Sequence, residues 1–142
     1  MNIIHRSATK NVPWRILLVE DDDATRESAT IKLQKEAFDV VPKEDGYLGL
    51  EYLKSDPNFD AILLDLRMPR SDGFEFLEKK NIDRQIRDIP VIIFSNLNQR
   101  EHIDRALSLG AKGYLVKAHH SIQDIVGELK NCLMNGICKV DD

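Results

Sequence analysis

Short apolar runs without polar alternation recur along the chain: Ile16-Leu17-Leu18-Val19, Ala61-Ile62-Leu63-Leu64, Val91-Ile92-Ile93-Phe94 and Tyr114-Leu115-Val116. Runs this short and this rich in Ile, Leu and Val predict strands buried on both faces of a parallel sheet. A fifth strand is read over Phe38-Asp39-Val40-Val41, stopped by Pro42, which has no N–H to give a ladder. The intervening stretches carry helix signals. Asp22 or Asp23 caps a helix to about Glu36 whose apolar face, Ala24, Ser28 and Ile31, is thin. Asp45-Gly46 opens a second, with Leu50 and Leu53 inward, ending near Ser55-Asp56-Pro57. A third follows Ser71-Asp72-Gly73 and carries Phe74 and Leu77 on one face. The fourth spans roughly Gln99 to Leu109, with Ile103, Ala106 and Leu107 inward and Gly110 as its stop. Ser121 caps the fifth, where Ile122, Ile125, Val126, Leu129, Cys132 and Leu133 recur at helical spacing.

Five strands alternating with five helices predict a doubly wound α/β domain over residues 15–133. Residues 1–14 are read as an N-terminal extension and residues 134–142 as a short polar C-terminal tail. Polar residues stand where the strands end: Glu20 and Asp21 after the first, Asp65 after the third, Ser95 after the fourth, Lys117 after the fifth. In a parallel sheet those ends share one edge, the edge at which open α/β sheets bind ligands. Met68-Pro69 keeps the loop after Asp65 from continuing into a helix, because the residue before proline avoids the α region. Three crowded carboxylates raise one another's pKa unless a cation holds them. An oxygen-rich site with few protein ligands suits Mg²⁺. The Ser95 hydroxyl and Lys117 ammonium supply a donor and a point charge, and with the metal they make a set sufficient for phosphoryl transfer.

Composition narrows the picture further. The chain has 142 residues and a formal net charge of −4, which gives no basis for a non-specific nucleic-acid footprint. Its two cysteines, Cys132 and Cys138, lack partners at metal-ligand spacing and are read as reduced cytosolic thiols. No apolar run approaches a membrane span, and no signal-peptide core is present, so a soluble cytoplasmic protein is expected. His119-His120 reads as an exposed loop; His5 and His102 have no partner at ligand spacing. The mixed run Asp83, Arg84, Arg87, Asp88 reads as a solvated face, and Trp14 as packing of the leader against the sheet edge.

These pieces together resemble the receiver domain of bacterial two-component response regulators, over about Arg15 to Leu133. The resemblance is carried by Ile16-Leu17-Leu18-Val19-Glu20-Asp21-Asp22, by Leu64-Asp65-Leu66-Arg67-Met68-Pro69 with Asp72-Gly73, by Phe94-Ser95, and by Gly110-Ala111-Lys112-Gly113-Tyr114-Leu115-Val116-Lys117. It implies a flavodoxin-like, five-stranded sheet of order 2-1-3-4-5. It implies that Asp65 takes a phosphoryl group from a phosphohistidine on a sensor histidine kinase or a histidine phosphotransfer protein. Asp21 would ligate Mg²⁺ directly, Glu20 through water, and Asp65 and the Arg67 backbone carbonyl would complete the metal's protein ligands. Lys117 would pair with Asp65 and then with the phosphoryl oxygens; Ser95 would hydrogen-bond the phosphoryl group; Tyr114 would be the aromatic switch. The function implied is a stand-alone, chemotaxis-regulator-like switch that assists its own phosphorylation and dephosphorylation, not a metabolic enzyme. Its output would be a downstream protein contact, with a homodimer through the fourth-helix, fifth-strand, fifth-helix face possible, and without direct nucleic-acid or membrane binding. That face is expected to carry His102, Arg105 and Lys112 beside Tyr114.

Three positions depart from the family pattern. Asn96 stands where a small residue is usual, Leu97 offers no side-chain group to orient water, and Ala118 replaces the proline after the strand-five lysine. A cis bond before alanine costs about 2.5–4 kcal/mol, against about 0.5–1 kcal/mol before proline, so a trans Lys117–Ala118 bond is expected. Three other readings meet obstacles in the sequence. An aspartyl-nucleophile α/β phosphatase would need an acid where Arg67 stands. A flavodoxin-like cofactor binder would need a Gly-rich loop where Glu20-Asp21-Asp22-Asp23 stands. A degenerate receiver used only for binding sits poorly with the intact acidic set.

Overall fold

A computed structural model describes residues 12–142. The expectations placed on residues 1–11, His5 among them, lie outside the described residues. The strands are β1 (Arg15–Val19), β2 (Asp39–Lys43), β3 (Ala61–Leu64), β4 (Val91–Ser95) and β5 (Gly113–Val116). The helices are α1 (Asp23–Lys35), α2 (Gly46–Ser55), α3 (Gly73–Asn81), α4 (Arg100–Ser108) and α5 (Ile122–Asn135), with a 3₁₀ turn at Lys117–His119. The sheet is parallel with order β2-β1-β3-β4-β5, as the resemblance implies.

The absence of alternation in the strands has its cause in two separate cores. Leu17, Val19, Ile62, Leu64, Ile93, Tyr114 and Val116 face α2, α3 and α4. Ile16, Leu18, Leu63, Ile92, Phe94 and Leu115 face α1 and α5. Truncating a fully buried member such as Leu63 costs about 2–5 kcal/mol. Asp22, Asp45, Asp72 and Ser121 each accept from a backbone N–H in the first turn of the following helix, and so fix where α1, α2, α3 and α5 begin. Gly110 takes φ +99° just after α4, the left-handed stop its position suggested.

The structure departs from the sequence pattern in α1, in β2 and at Trp14. Helix α1 buries Ala29 and Leu33, while Ile31 is 47% exposed, so its inward stripe is one residue pair on a different face from the one read. Pro42 lies inside β2, paired with Leu18, and does not stop the strand. Asp39 N–H donates to Trp14 O, and Lys43 O accepts from Glu20 N–H, so alternate residues turn toward β1 and Pro42 turns away. Its missing donor therefore faces the open edge, where none is needed. Trp14 is itself core, packed with Leu33 and Phe38.

The C-terminal residues are not a free tail. Met134 and Asn135 belong to α5, Gly136 turns the chain at φ +72°, and residues beyond it lie along the outer edge of β5. Tyr114 N–H donates to Lys139 O at 2.9 Å, Asp141 N–H to Tyr114 O at 2.8 Å, and Val140 makes a parallel bridge to Tyr114. Cys132 and Cys138 are joined in a disulfide, not held as two reduced thiols. Residues six apart in sequence meet because the left-handed Gly136 folds the segment back on the end of α5. His120 is likewise not a free loop residue: its Nε2 lies 2.7 Å from Asp141 Oδ2.

Candidate functional site

Residues from four strand ends converge at the carboxyl edge of the sheet. Asp65 is fixed by its own backbone, whose N–H donates to Val19 O at 3.0 Å, and by the loop behind it, closed by Gly73 N–H on Leu66 O at 2.9 Å. Only glycine fits at 73: a Cβ there would meet Asp65 O and Leu66 Cα at 2.7 Å. The β1 end is pinned by Arg26, which donates to Glu20 O at 2.9 Å and Asp21 O at 3.3 Å while pairing with Asp23.

Carboxylate oxygens of Glu20, Asp21 and Asp65 all lie within 4.8 Å of one another. Glu20 and Asp65 are buried, with Asp21 the most open of the three. Lys117, at the end of β5, places Nζ 2.6 Å from Glu20 Oε1 and 3.4 Å from Asp65 Oδ2. Three carboxylates against one ammonium leave a formal charge of −2 in a partly buried pocket. Burial pushes the Glu20 carboxyl above its ordinary range; Lys117 and the Asp22 amide pull it back, and the Asp65 charge adds to the push. Burial alone would depress Lys117, but Glu20 and Asp65 outweigh it and hold its pKa above the ordinary value. An all-oxygen set of three carboxylates that one ammonium leaves at −2 fits a hard divalent cation such as Mg²⁺. Arg67 borders the same depression, and its N–H donates to Asp65 Oδ1 at 3.4 Å.

Ser95 is fully buried, and its Oγ accepts from Leu97 N–H at 3.3 Å. The Tyr114 ring is also fully buried, and its hydroxyl donates to Leu97 O. Burial first, then the Asp65 charge, pushes the Tyr114 hydroxyl up to about 12. Leu97 thus joins Ser95 to Tyr114 through both of its backbone groups. The link runs through backbone groups alone, so a leucine side chain in the sequence gives no signal of it. The Lys117–Ala118 bond is trans, as are all peptide bonds among the described residues.

The surface expected around Tyr114 is arranged differently. Arg105 lies over the Phe74 ring, 4.1 Å from its centroid, and reaches Glu78; the His102 ring is 6.3 Å from Phe74. Both side chains therefore serve the α3–α4 contact, while the outer edge of β5 is covered by residues 136–142. No helix among the described residues is long and apolar enough to cross a membrane.

Comparison with known proteins agrees with this geometry. Residues 16–130 match the model of the response regulator receiver domain. The two-component response regulator ORR11 of Oryza sativa subsp. japonica is 35% identical over 105 residues, which is 74% of this chain and 71% of that protein. The two-component response regulator-like PRR73 of the same rice is 36% identical over 104 residues, and there the chain spans only 14% of the relative's length. Among solved structures, the chemotaxis response regulator CheY4 of Vibrio cholerae superposes with a TM-score of 0.78 at 26% identity, covering 85% of this chain and 99% of that one. The Francisella response regulator 1452 receiver domain gives 0.75 at 27% identity, covering 86% and 98%. The family match spans most of the chain, and the strand order agrees with it: this protein belongs to the response regulator receiver domain family.

Proposed function

We propose that the protein is a phosphorylation-controlled signalling switch whose phosphoacceptor is Asp65. The observation that carries this reading is the convergence of Glu20, Asp21 and Asp65 within 4.8 Å, with Lys117 reaching both buried members. Asp65 Oδ would attack the phosphorus of a phosphohistidine on a sensor histidine kinase or histidine phosphotransfer protein, forming an aspartyl phosphate and releasing the histidine nitrogen. Lys117 would follow the charge from the carboxylate to the new phosphoryl oxygens. Ser95, whose Oγ accepts from Leu97 N–H, would donate its hydroxyl to one of them. Glu20, Asp21, Asp65 and the Arg67 carbonyl would hold Mg²⁺, which when bound supplies charge neutralisation for incoming phosphoryl oxygens. Transfer of this kind is positioning and electrostatics, so the domain assists its own phosphorylation and dephosphorylation without being a metabolic enzyme.

Tyr114 would relay the change, since drawing Ser95 toward the phosphoryl group breaks its bond to Leu97, the residue that also holds the Tyr114 hydroxyl. The output is a downstream protein, and the compartment is the cytoplasm. The test is intact-protein mass spectrometry after incubation with acetyl phosphate or phosphoramidate, with and without Mg²⁺. One phosphoryl increment is expected, dependent on Mg²⁺, lost in Asp65→Asn, and stripped of its metal dependence and most of its rate in Asp21→Ala. An increment persisting on Asp65→Asn and mapping to Ser95 or a histidine overturns the assignment.

A further inference from the structure

The disulfide and the pairing of residues 136–142 with β5 meet at one place. Cys132 is buried on the last turn of α5, whereas Cys138 is partly open to solvent. Just beyond Cys138, Lys139 O, Asp141 N–H and the Asp141 carboxylate satisfy Tyr114 N–H, Tyr114 O and Val116 N–H, the last at 2.8 Å. Asp141 is 7% exposed and shares its Oδ2 with His120. The approach to the strand is close enough that a Cβ on Gly113 would stand 3.0 Å from Lys139 O and 3.3 Å from Cys138 Cβ. The segment is thus a strap of seven residues, tied covalently at one end and by backbone pairing along the rest. Apart from Asp141 it carries little burial of its own: Ile137 is 63% and Val140 36% exposed. A short, solvent-facing pairing of this kind depends on the tie that limits how far it can wander.

We propose that Cys132–Cys138 is a thiol–disulfide exchange site, acting on a dithiol reductant, and that its redox state decides whether the strap stays on the β5 edge. In the forward step a thiolate of the dithiol attacks Sγ of Cys138, the accessible sulfur. The Cys132–Cys138 S–S bond breaks, and Cys132 leaves as a thiolate that takes a proton from water. The second thiol of the dithiol attacks the mixed disulfide, and Cys138 leaves likewise. Two electrons pass from the dithiol to the protein, and the dithiol becomes a disulfide. Compartments that keep thiols reduced hold such bonds only transiently, which suits a sensor better than a staple. Release uncovers Tyr114 N–H, Tyr114 O and Val116 N–H, one residue from Lys117. This assignment is independent of whether Asp65 is phosphorylated.

The test is amide hydrogen exchange on the full chain, oxidised with glutathione disulfide or reduced with dithiothreitol, with thiols counted by alkylation. The oxidised chain should show no free thiol and slow exchange in peptides covering 113–116 and 136–142. Reduction should speed exchange there at least tenfold, leave 61–64 unchanged, and reverse on reoxidation. Cys138→Ala should be fast and indifferent to dithiothreitol. Two free thiols after excess oxidant, or exchange at 113–116 within twofold between the two states of the unsubstituted chain, overturns the proposal.

Discussion

The ammonium of Lys117 stands closer to Glu20, at 2.6 Å, than to Asp65, at 3.4 Å. One cation is therefore shared between two buried carboxylates, and it leans toward the one that is not the proposed acceptor. Asp65 keeps an oxygen less encumbered than a direct pair would leave it, at the expense of a Glu20 carboxyl whose pKa is raised. A raised carboxyl pKa means that the folded state favours the protonated form. Its contribution to stability is present below the unfolded value, near 4.5, and lost as pH rises through the folded one. Glu20→Gln should thus raise the melting temperature of the metal-free protein at pH 7 and flatten its pH dependence above 4.5. In the unsubstituted chain Mg²⁺ at a hundredfold excess over Kd should add about 2.7 kcal/mol, and most of that gain should vanish in Glu20→Gln. Thermal melts with and without Mg²⁺ check both.

Tyr114 should ionise only near pH 12, because burial and the Asp65 charge both oppose its phenolate. The difference between alkaline absorbance titrations of the unsubstituted protein and Tyr114→Phe isolates this one group. A midpoint near the ordinary value of 10 contradicts a buried ring. The neutral hydroxyl contributes stability that is whole below pH 10 and lost as pH rises through about 12. Removing its bond to Leu97 should cost about 1 kcal/mol at neutral pH.

Gly73→Ala brings a methyl to 2.7 Å from Asp65 O, Leu66 Cα and Leu66 Cδ2, two of which are backbone and cannot turn aside. About 1–3 kcal/mol of stability should be lost, read by urea unfolding. The same displacement moves Asp65 relative to Lys117, so phosphorylation by small donors should slow more than in an alanine substitution at Gly127, around which nothing stands within 4 Å.

Lys80 is buried, and its Nζ donates to Arg87 O at 2.6 Å. Burial outweighs Asp88 and lowers its pKa to about 8, with Lys112 adding to the depression. The unfolded chain holds this proton up to about pH 10.4, so between pH 8 and 10 stability should rise by up to about 1.4 kcal/mol per pH unit. Lys80→Met should remove that slope. Urea midpoints at pH 7, 8, 9 and 10 decide it.

Most of this fold was legible because four of its five strands, all but the edge strand β2, are buried on two faces and advertise themselves as short apolar runs followed by a polar residue. The site was legible for the same reason: a parallel sheet puts Glu20, Asp21, Asp65, Ser95 and Lys117 on one edge by topology alone. Helix α1 misled because it buries only Ala29 and Leu33, a single i, i+4 pair that any of several faces could mimic. Residues 136–142 hid because their pairing runs through backbone N–H and C=O groups, which leave no trace in side-chain pattern. The cysteine pair hid because proximity came from Gly136 turning the chain, and spacing alone does not say which way a chain turns.

Pro42 and the C-terminal segment occupy opposite borders of the sheet, and together they govern how copies of this molecule can stick to one another. An open parallel sheet has two raw borders, each a template for another chain. On the β2 side the imide ring of Pro42 deletes an outward donor permanently. On the β5 side the cover is a segment that can lift. Pro42 leaves the β2 border one outward donor short, so the β5 border is the better template once its cover is off. Were that border uncovered, a copy pairing there across a two-fold axis would use it up, and association through the sheet would close at a pair instead of running on into a fibre.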